Sequence, residues 1–404
     1  MPKAGPRWLL YTTALATLAG CTGSITTPVG GDTIAATAAA SPQPAAAAGD
    51  QVLSVLQLPF PAPSGSALPA TRQRALQAAL DRAVRDSTQL VGVTAAVVSA
   101  SGSWTGAADV DGAGVRLVPE AMMAIASITK TVTAAEVVFL EQSGLINLDA
   151  PASTYLDNPL LQRNPTVRQL LSHTSGAPEY ITPALIDTAT SDPTRSWTAP
   201  QALSYATDPP GDPGSPLMNY SNSNYLLLGV LIEKITGLRY DQAVRRDLFA
   251  VDTTRMVVQD AERPVPPLAA AGLSPEGLPD AVPDGIFVPD RSLATAAGAA
   301  GGIAADAATL AGWGYRLYGG RILPSARTVE LATEVAPDYG LGTEIFEQPW
   351  GPRGGVIGHG GRTSGYVTVL SVTPAEQLSV AVLGVGPGGP IDVIAKRLAA
   401  ALRS

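Results

Sequence analysis

Apolar residues first recur at helical spacing near Thr71. Leu76, Leu80 and Val84 lie four apart on a segment that also carries Arg72, Arg74, Asp81, Arg82 and Arg85, which predicts an amphipathic helix. The apolar runs Val93–Ala100 and Trp104–Ala108 then flank Ser101-Gly102-Ser103, the pattern of a hairpin. At the other end, Tyr366–Thr373 and Leu378–Val385 bracket Pro374-Ala375-Glu376-Gln377, a second hairpin, and a helix is predicted over Ile391–Leu402. Between these ends helical signals dominate: Ser127–Ser143 stopping at Gly144, Val167–Leu171, Tyr225–Thr236 stopping at Gly237, and Ala305–Leu317. The pattern predicts a mixed α/β fold with one antiparallel sheet made from both chain ends, flanked by helices, with a helical insertion between them.

Composition narrows the function. With 46% hydrophobic and 15% charged residues in 404, the chain has the material for a large core. Lys plus Arg number 26 against 34 Asp plus Glu, a net charge of -8, so no basic footprint for nucleic acid exists. One cysteine and two histidines leave no internal disulfide and almost no zinc-ligand set, so neither metal nor cofactor is expected.

The lone cysteine has a telling position. Lys3 and Arg7 form a basic head, Trp8–Leu18 is an apolar run short for a bilayer span, and Leu18-Ala19-Gly20-Cys21 follows. This resembles a bacterial lipoprotein signal peptide, which implies cleavage of residues 1–20 and lipidation of Cys21. The mature charge would then be -10, since Lys3 and Arg7 leave with no acid. From Cys21 to about residue 70 the chain is rich in Ala, Thr, Ser, Pro and Gly and reads as a disordered tether, with the folded domain over 71–404. The expected location is the cell envelope, lipid-anchored on the extracytoplasmic face of the membrane; the oligomeric state is left open.

Three clusters can carry chemistry. Ser127-Ile128-Thr129-Lys130 places a hydroxyl and an amine three residues apart on one helix face, where a desolvated lysine can serve as base to a serine nucleophile. Tyr220-Ser221-Asn222, at a helix start, can aim a phenol and an amide into a cleft, or Asn222 or Asn224 caps that helix. Gly358-His359-Gly360-Gly361-Arg362, just before the Tyr366 strand, leaves room for substrate beside a sheet edge.

In this order, Ser127-x-x-Lys130, Tyr220-x-Asn222 and His359-x-Gly361 resemble the three motifs of the penicillin-recognising serine hydrolases, in the version of class C β-lactamases, D-alanyl-D-alanine carboxypeptidases and their esterase relatives. The likeness extends over about Thr71 to Leu402, through Val167-Arg168-Gln169-Leu170-Leu171-Ser172-His173-Thr174-Ser175-Gly176 and Tyr339-Gly340-Leu341-Gly342. It implies a β-lactamase-like fold with Ser127 as acylated nucleophile and Lys130 as base or proton relay. Tyr220 would exchange protons with nucleophile and leaving group, and Asn222 would hold the substrate amide. His359 and Gly361 would face the substrate, and the N–H groups of Ser127 and Arg362 would form the oxyanion hole. The Arg362 guanidinium binds a substrate carboxylate, reaches solvent or narrows the cleft. His173, despite its neighbouring hydroxyls, belongs to a structural turn in this family. The expected function is a membrane-tethered serine hydrolase acting through an acyl-enzyme on a small-molecule or peptide substrate, a D,D-peptidase or ester hydrolase. The alternatives are a β-lactamase and a non-catalytic cell-wall-peptide binding lipoprotein on the same fold.

Overall fold

The computed structural model describes residues 56, 59–215, 218–249, 253–346 and 355–403. Cys21 and the signal segment lie outside the described residues. Eleven helices are described: α1 Ala70–Arg85, α2 Thr129–Gln142, α3 Val167–Leu171, α4 Pro183–Ser191, α5 Ala199–Leu203, α6 Ser223–Thr236, α7 Tyr240–Asp247, α8 Arg291–Gly301, α9 Ala307–Tyr318, α10 Ser325–Ala332 and α11 Ile391–Arg403. The strands are β1 Gly92–Ser99, β2 Gly102–Asp109, β3 Met123–Ala124, β4 Met256–Val258, β5 Ile303–Ala305, β6 Glu344–Phe346, β7 Val356–Thr363, β8 Tyr366–Thr373 and β9 Leu378–Val385.

The expected sheet from both chain ends is present. Its order is β2-β1-β9-β8-β7-β6, every neighbour antiparallel. Both faces are covered, which is why these strands read as near-continuous apolar runs. Val93, Ala95, Val97, Val380 and Val382 pack with Leu76 and Leu80 of α1 and Leu398 of α11, while Ala96, Ala381, Leu383 and Leu370 face the larger core with Leu310 and Trp313 of α9. The insertion between β2 and β6 holds α2 to α10 and a small antiparallel sheet, β3-β5-β4, whose strands of two or three residues leave no periodic signal.

Two sequence expectations are corrected. The folded body begins before Thr71: Phe60 and Leu68 are buried, the Phe60 N–H donates to the Gly319 carbonyl at 2.8 Å, and the Leu68 N–H donates to the Ser103 carbonyl at 2.8 Å. The part of the expected tether from residue 59 to 69 is therefore docked, because two large apolar side chains anchor a segment whose average composition is that of a linker. The Gly358–Arg362 stretch, expected just before a strand and beside a sheet edge, is itself the middle of strand β7, held by register pairs His359 with Leu370 and Gly361 with Thr368.

Candidate active site

The nucleophile candidate sits on a turn under constraint. Ala126 has φ 48°, a left-handed conformation that costs an L-residue energy, and the tight turn Ala126–Ile128 leads directly into α2. Gly361 on β7 lies against this turn. A Cβ there would fall 2.4 Å from the Ile125 carbonyl oxygen and 2.3 Å from Thr368 Oγ1, so glycine is what lets the turn approach the sheet. Gly361 thus packs the serine-bearing turn against the sheet.

β6 pairs with β7 only as far as Gly358, so β7 presents an open edge from His359 onward. The Gly360 N–H points outward, donating to Glu344 Oε2 at 2.9 Å. By strand alternation the Arg362 N–H two residues on points the same way, beside the Ser127 turn. The Ser127 N–H lies in the first turn before α2, among the groups without an intrahelical partner.

Lys130 is wholly buried and donates from Nζ to three acceptors: Ser127 Oγ at 3.0 Å, Asn222 Oδ1 at 2.8 Å and the Ala300 carbonyl at 2.8 Å. The last is a C-terminal carbonyl of α8, which the helix itself leaves unsatisfied. Burial lowers the Lys130 pKa from 10.5 to about 7, even though Glu179 and Glu344 pull it upward. That displacement is roughly 5 kcal/mol against the ammonium, so desolvation outweighs both carboxylates.

The Tyr220 ring centroid lies 5.0 Å from Lys130 Nζ. Burial raises its pKa well above 10, despite the lowering effect of Ser127, so it is a phenol at neutral pH. His173 stacks on this ring at 4.0 Å and its Nδ1 accepts the Ser221 N–H at 3.2 Å. The expected turn-fixing role is thereby given a geometry. Asn222 makes no side-chain cap to α6, which excludes the capping alternative for it.

His359 departs from expectation. It is 1% exposed, with Nε2 hydrogen-bonded to Tyr339 Oη at 3.0 Å and Nδ1 to its neighbour's Gly360 carbonyl at 2.6 Å. Its ring centroid lies 6.5 Å from that of Tyr220 and its Nδ1 lies 3.4 Å from Glu344 Oε1, so it is packed within the cluster rather than open to solvent. Desolvation lowers its pKa from the ordinary histidine value, with Glu344 opposing, which works against a protonated imidazole at this position. Arg362 is exposed and makes no ion pair among the described residues. It lines a cavity of about 120 Å³ beside Ser127 and Asn222, where Thr363 and Ser364 add polar groups and Tyr180, Ile181, Leu185 and Leu293 form an apolar wall.

Sequence reasoning missed Glu179, whose Oε2 accepts both the backbone N–H and the Nδ2–H of Asn222, each at 2.9 Å. It gave no role to Tyr339 or to the Ala300 carbonyl. Among the described residues, no group of His, Cys, Asp and Glu could hold a metal ion.

A sheet built from both chain ends, with a serine, a buried lysine, a tyrosine and an asparagine gathered at its open edge, defines a serine hydrolase of the β-lactamase and penicillin-binding class. The chain belongs to the beta-lactamase family, whose family model matches residues 77–403. Penicillin-binding protein 4 of Amycolatopsis lactamdurans is 26% identical over 295 residues, 67% of this chain and 74% of the relative. The D-stereospecific amidohydrolase of a Streptomyces species is 29% identical with a TM-score of 0.66, covering 80% of this chain and 97% of that one. The D-amino acid amidase of Ochrobactrum anthropi SV3 shares the fold at 23% identity and TM-score 0.68, covering 83% and 99%.

Proposed function

We propose that the chain is an extracytoplasmic, lipid-anchored amidohydrolase that opens amides or short peptides of D-residues through an acyl-enzyme on Ser127. One observation carries the mechanism: the fixed acceptors around Lys130 Nζ. When the amine is neutral it has two N–H bonds and one lone pair. Asn222 Oδ1 and the Ala300 carbonyl take the two N–H bonds, so the lone pair is left facing the Ser127 hydroxyl. Lys130 then accepts the serine proton as Oγ attacks the carbonyl carbon, and the N–H groups of Ser127 and Arg362 stabilise the oxyanion. Tyr220, a phenol rather than a phenolate, gives its proton to the leaving nitrogen and recovers one from the Lys130 ammonium, so it is not the first base and both groups are reset before water attacks. Water then releases the acyl group by the reverse proton path.

The amide preference follows the likeness to the Streptomyces amidohydrolase, and the apolar wall of Tyr180, Ile181, Leu185 and Leu293 suits an apolar substrate side chain. A panel of D- and L-phenylalanine amide, a peptide ending in D-alanyl-D-alanine and a neutral activated ester tests it. The D-amide is expected to exceed its L-enantiomer by about tenfold or more in kcat/KM. Ester turnover with no preference between the enantiomers would contradict the amidohydrolase reading.

Arg362 supplies the selectivity for substrates with a free carboxylate. Arg362→Gln is expected to lower kcat/KM for the peptide substrate by about 10- to 100-fold, the worth of a hydrogen bond to a charged group, and to leave the neutral amide and ester near wild type. Equal losses on all three substrates would assign Arg362 to the cleft's shape instead.

The anchor rests on the Leu18-Ala19-Gly20-Cys21 box. Expressed in a bacterial host, Cys21→Ala is expected to move the protein from the detergent phase to the aqueous phase with activity retained. Identical partitioning of the two proteins would rule out lipidation at Cys21.

A further inference from the structure

Asn222 can turn either end of its amide toward Lys130, and the two ends have opposite consequences. With Oδ1 toward Nζ, the amide accepts an N–H from the amine and leaves its lone pair for Ser127. With Nδ2 toward Nζ, the amide would donate to that lone pair and withdraw it from the serine. The choice therefore decides whether Lys130 can act as a base at all.

We propose that Glu179 is the positioning residue of the site: its carboxylate holds the Asn222 amide in the one orientation that aims Oδ1 at Lys130. Glu179 Oε2 accepts from both the backbone N–H and the Nδ2–H of Asn222 at 2.9 Å, and Oε1 accepts the Ile181 N–H at 2.9 Å. A carboxylate has acceptors only, so it can bind the Nδ2 end of the amide and never the Oδ1 end. The Ile181 bond fixes the carboxylate to its own loop. The path is Glu179 to Asn222 to Lys130 to Ser127, with contacts of 2.9, 2.8 and 3.0 Å. The inference rests on the acyl-enzyme reading above and deepens it.

The charge of Glu179 has a second effect through the same lysine. Nζ is faced by Ser127 from the turn before α2, by Tyr220 and Asn222 from the loop entering α6, by Tyr225 on α6 and by the Ala300 carbonyl of α8. The charges acting on it at longer range are Glu179 and Glu344, which favour the ammonium, and it in turn disfavours protonation of His173 and His359. Removing the Glu179 charge removes one of the two carboxylates that favour the ammonium. Lys130 then gives up its proton at lower pH, and the acid limb of the rate profile moves down.

The test is a double-mutant cycle on the full chain with Glu179→Ala, Asn222→Ala and the double variant, together with the isosteric Glu179→Gln, each assayed for kcat and KM on one amide across pH. Glu179→Ala is expected to lower kcat by about 10- to 100-fold in the wild-type background and by less than about threefold when Asn222 is already alanine, because it acts through that residue. Glu179→Gln is expected to keep more activity, since its carbonyl can still accept from Asn222, and to shift the acid limb to lower pH. Losses that multiply in the double variant, or a rise in KM alone with the acid limb unmoved, would overturn the proposal and make Glu179 a direct substrate contact. Substantial turnover in Ser127→Ala would overturn the acyl-enzyme reading itself. An inactive Ser127→Ala with a multiplicative cycle would remove only the role given to Glu179.

Discussion

Ser127→Ala is expected to reduce kcat/KM by about 10⁴-fold or more while shifting the unfolding free energy by no more than ~0.5 kcal/mol. The kinetic loss is large because, among the described residues, no other hydroxyl shares the contact with Lys130 Nζ, whose remaining acceptors are the Asn222 and Ala300 carbonyls. The stability change is small because Ser127 is only half-buried and Lys130 keeps those two acceptors. Steady-state kinetics and a thermal melt on the same preparation check both parts. A parallel collapse of activity and melting temperature would attribute the loss to unfolding.

Lys130→Ala is the second large effect, expected within about tenfold of Ser127→Ala, with the double variant no worse than either single one because the two groups act as a unit. The wild-type rate profile carries the matching signature. A protonated Lys130 cannot accept the serine proton, so activity falls about tenfold per pH unit as pH drops below the Lys130 pKa of about 7, and levels off above it. An exposed lysine would keep the protein inactive until about pH 10. Burial is therefore what brings the base into the neutral range. A limb near pH 10, or none between pH 5 and 9, would remove Lys130 from the role of base.

Much of the sheet was legible because its central strands, buried on both faces, are continuous apolar runs closed by turn residues, and α6 was legible because Gly237, at φ 68°, stops it. β7 was not, because glycines at 358, 360 and 361 carry little strand preference; pairing with β8 and the approach of the Ser127 turn impose the strand. The pair Ser127 and Lys130 could be read from their spacing together with the two later motifs, although Ser127 stands on the turn before α2 rather than on the helix. Glu179 could not, since its partner Asn222 lies 43 residues away, and the Ala300 carbonyl lies 170 residues from Lys130. The burial of His359 was not legible either: its glycine neighbours suggest an open cleft, whereas its Nε2 meets Tyr339 Oη, 20 residues upstream. Phe60 and Leu68 show the reverse case, in which two apolar anchors decide the fate of a segment whose average composition is that of a tether.

The acyl-enzyme on Ser127 is tested most directly by intact-mass measurement after incubation with a penicillin, a fluorophosphonate and an activated ester, followed by peptide mapping. The expected result is one equivalent of covalent adduct from at least one reagent, located on the peptide containing Ser127 and absent from Ser127→Ala. Turnover of the amide by a protein that acquires no adduct from any reagent, or an adduct that persists in Ser127→Ala, would contradict it.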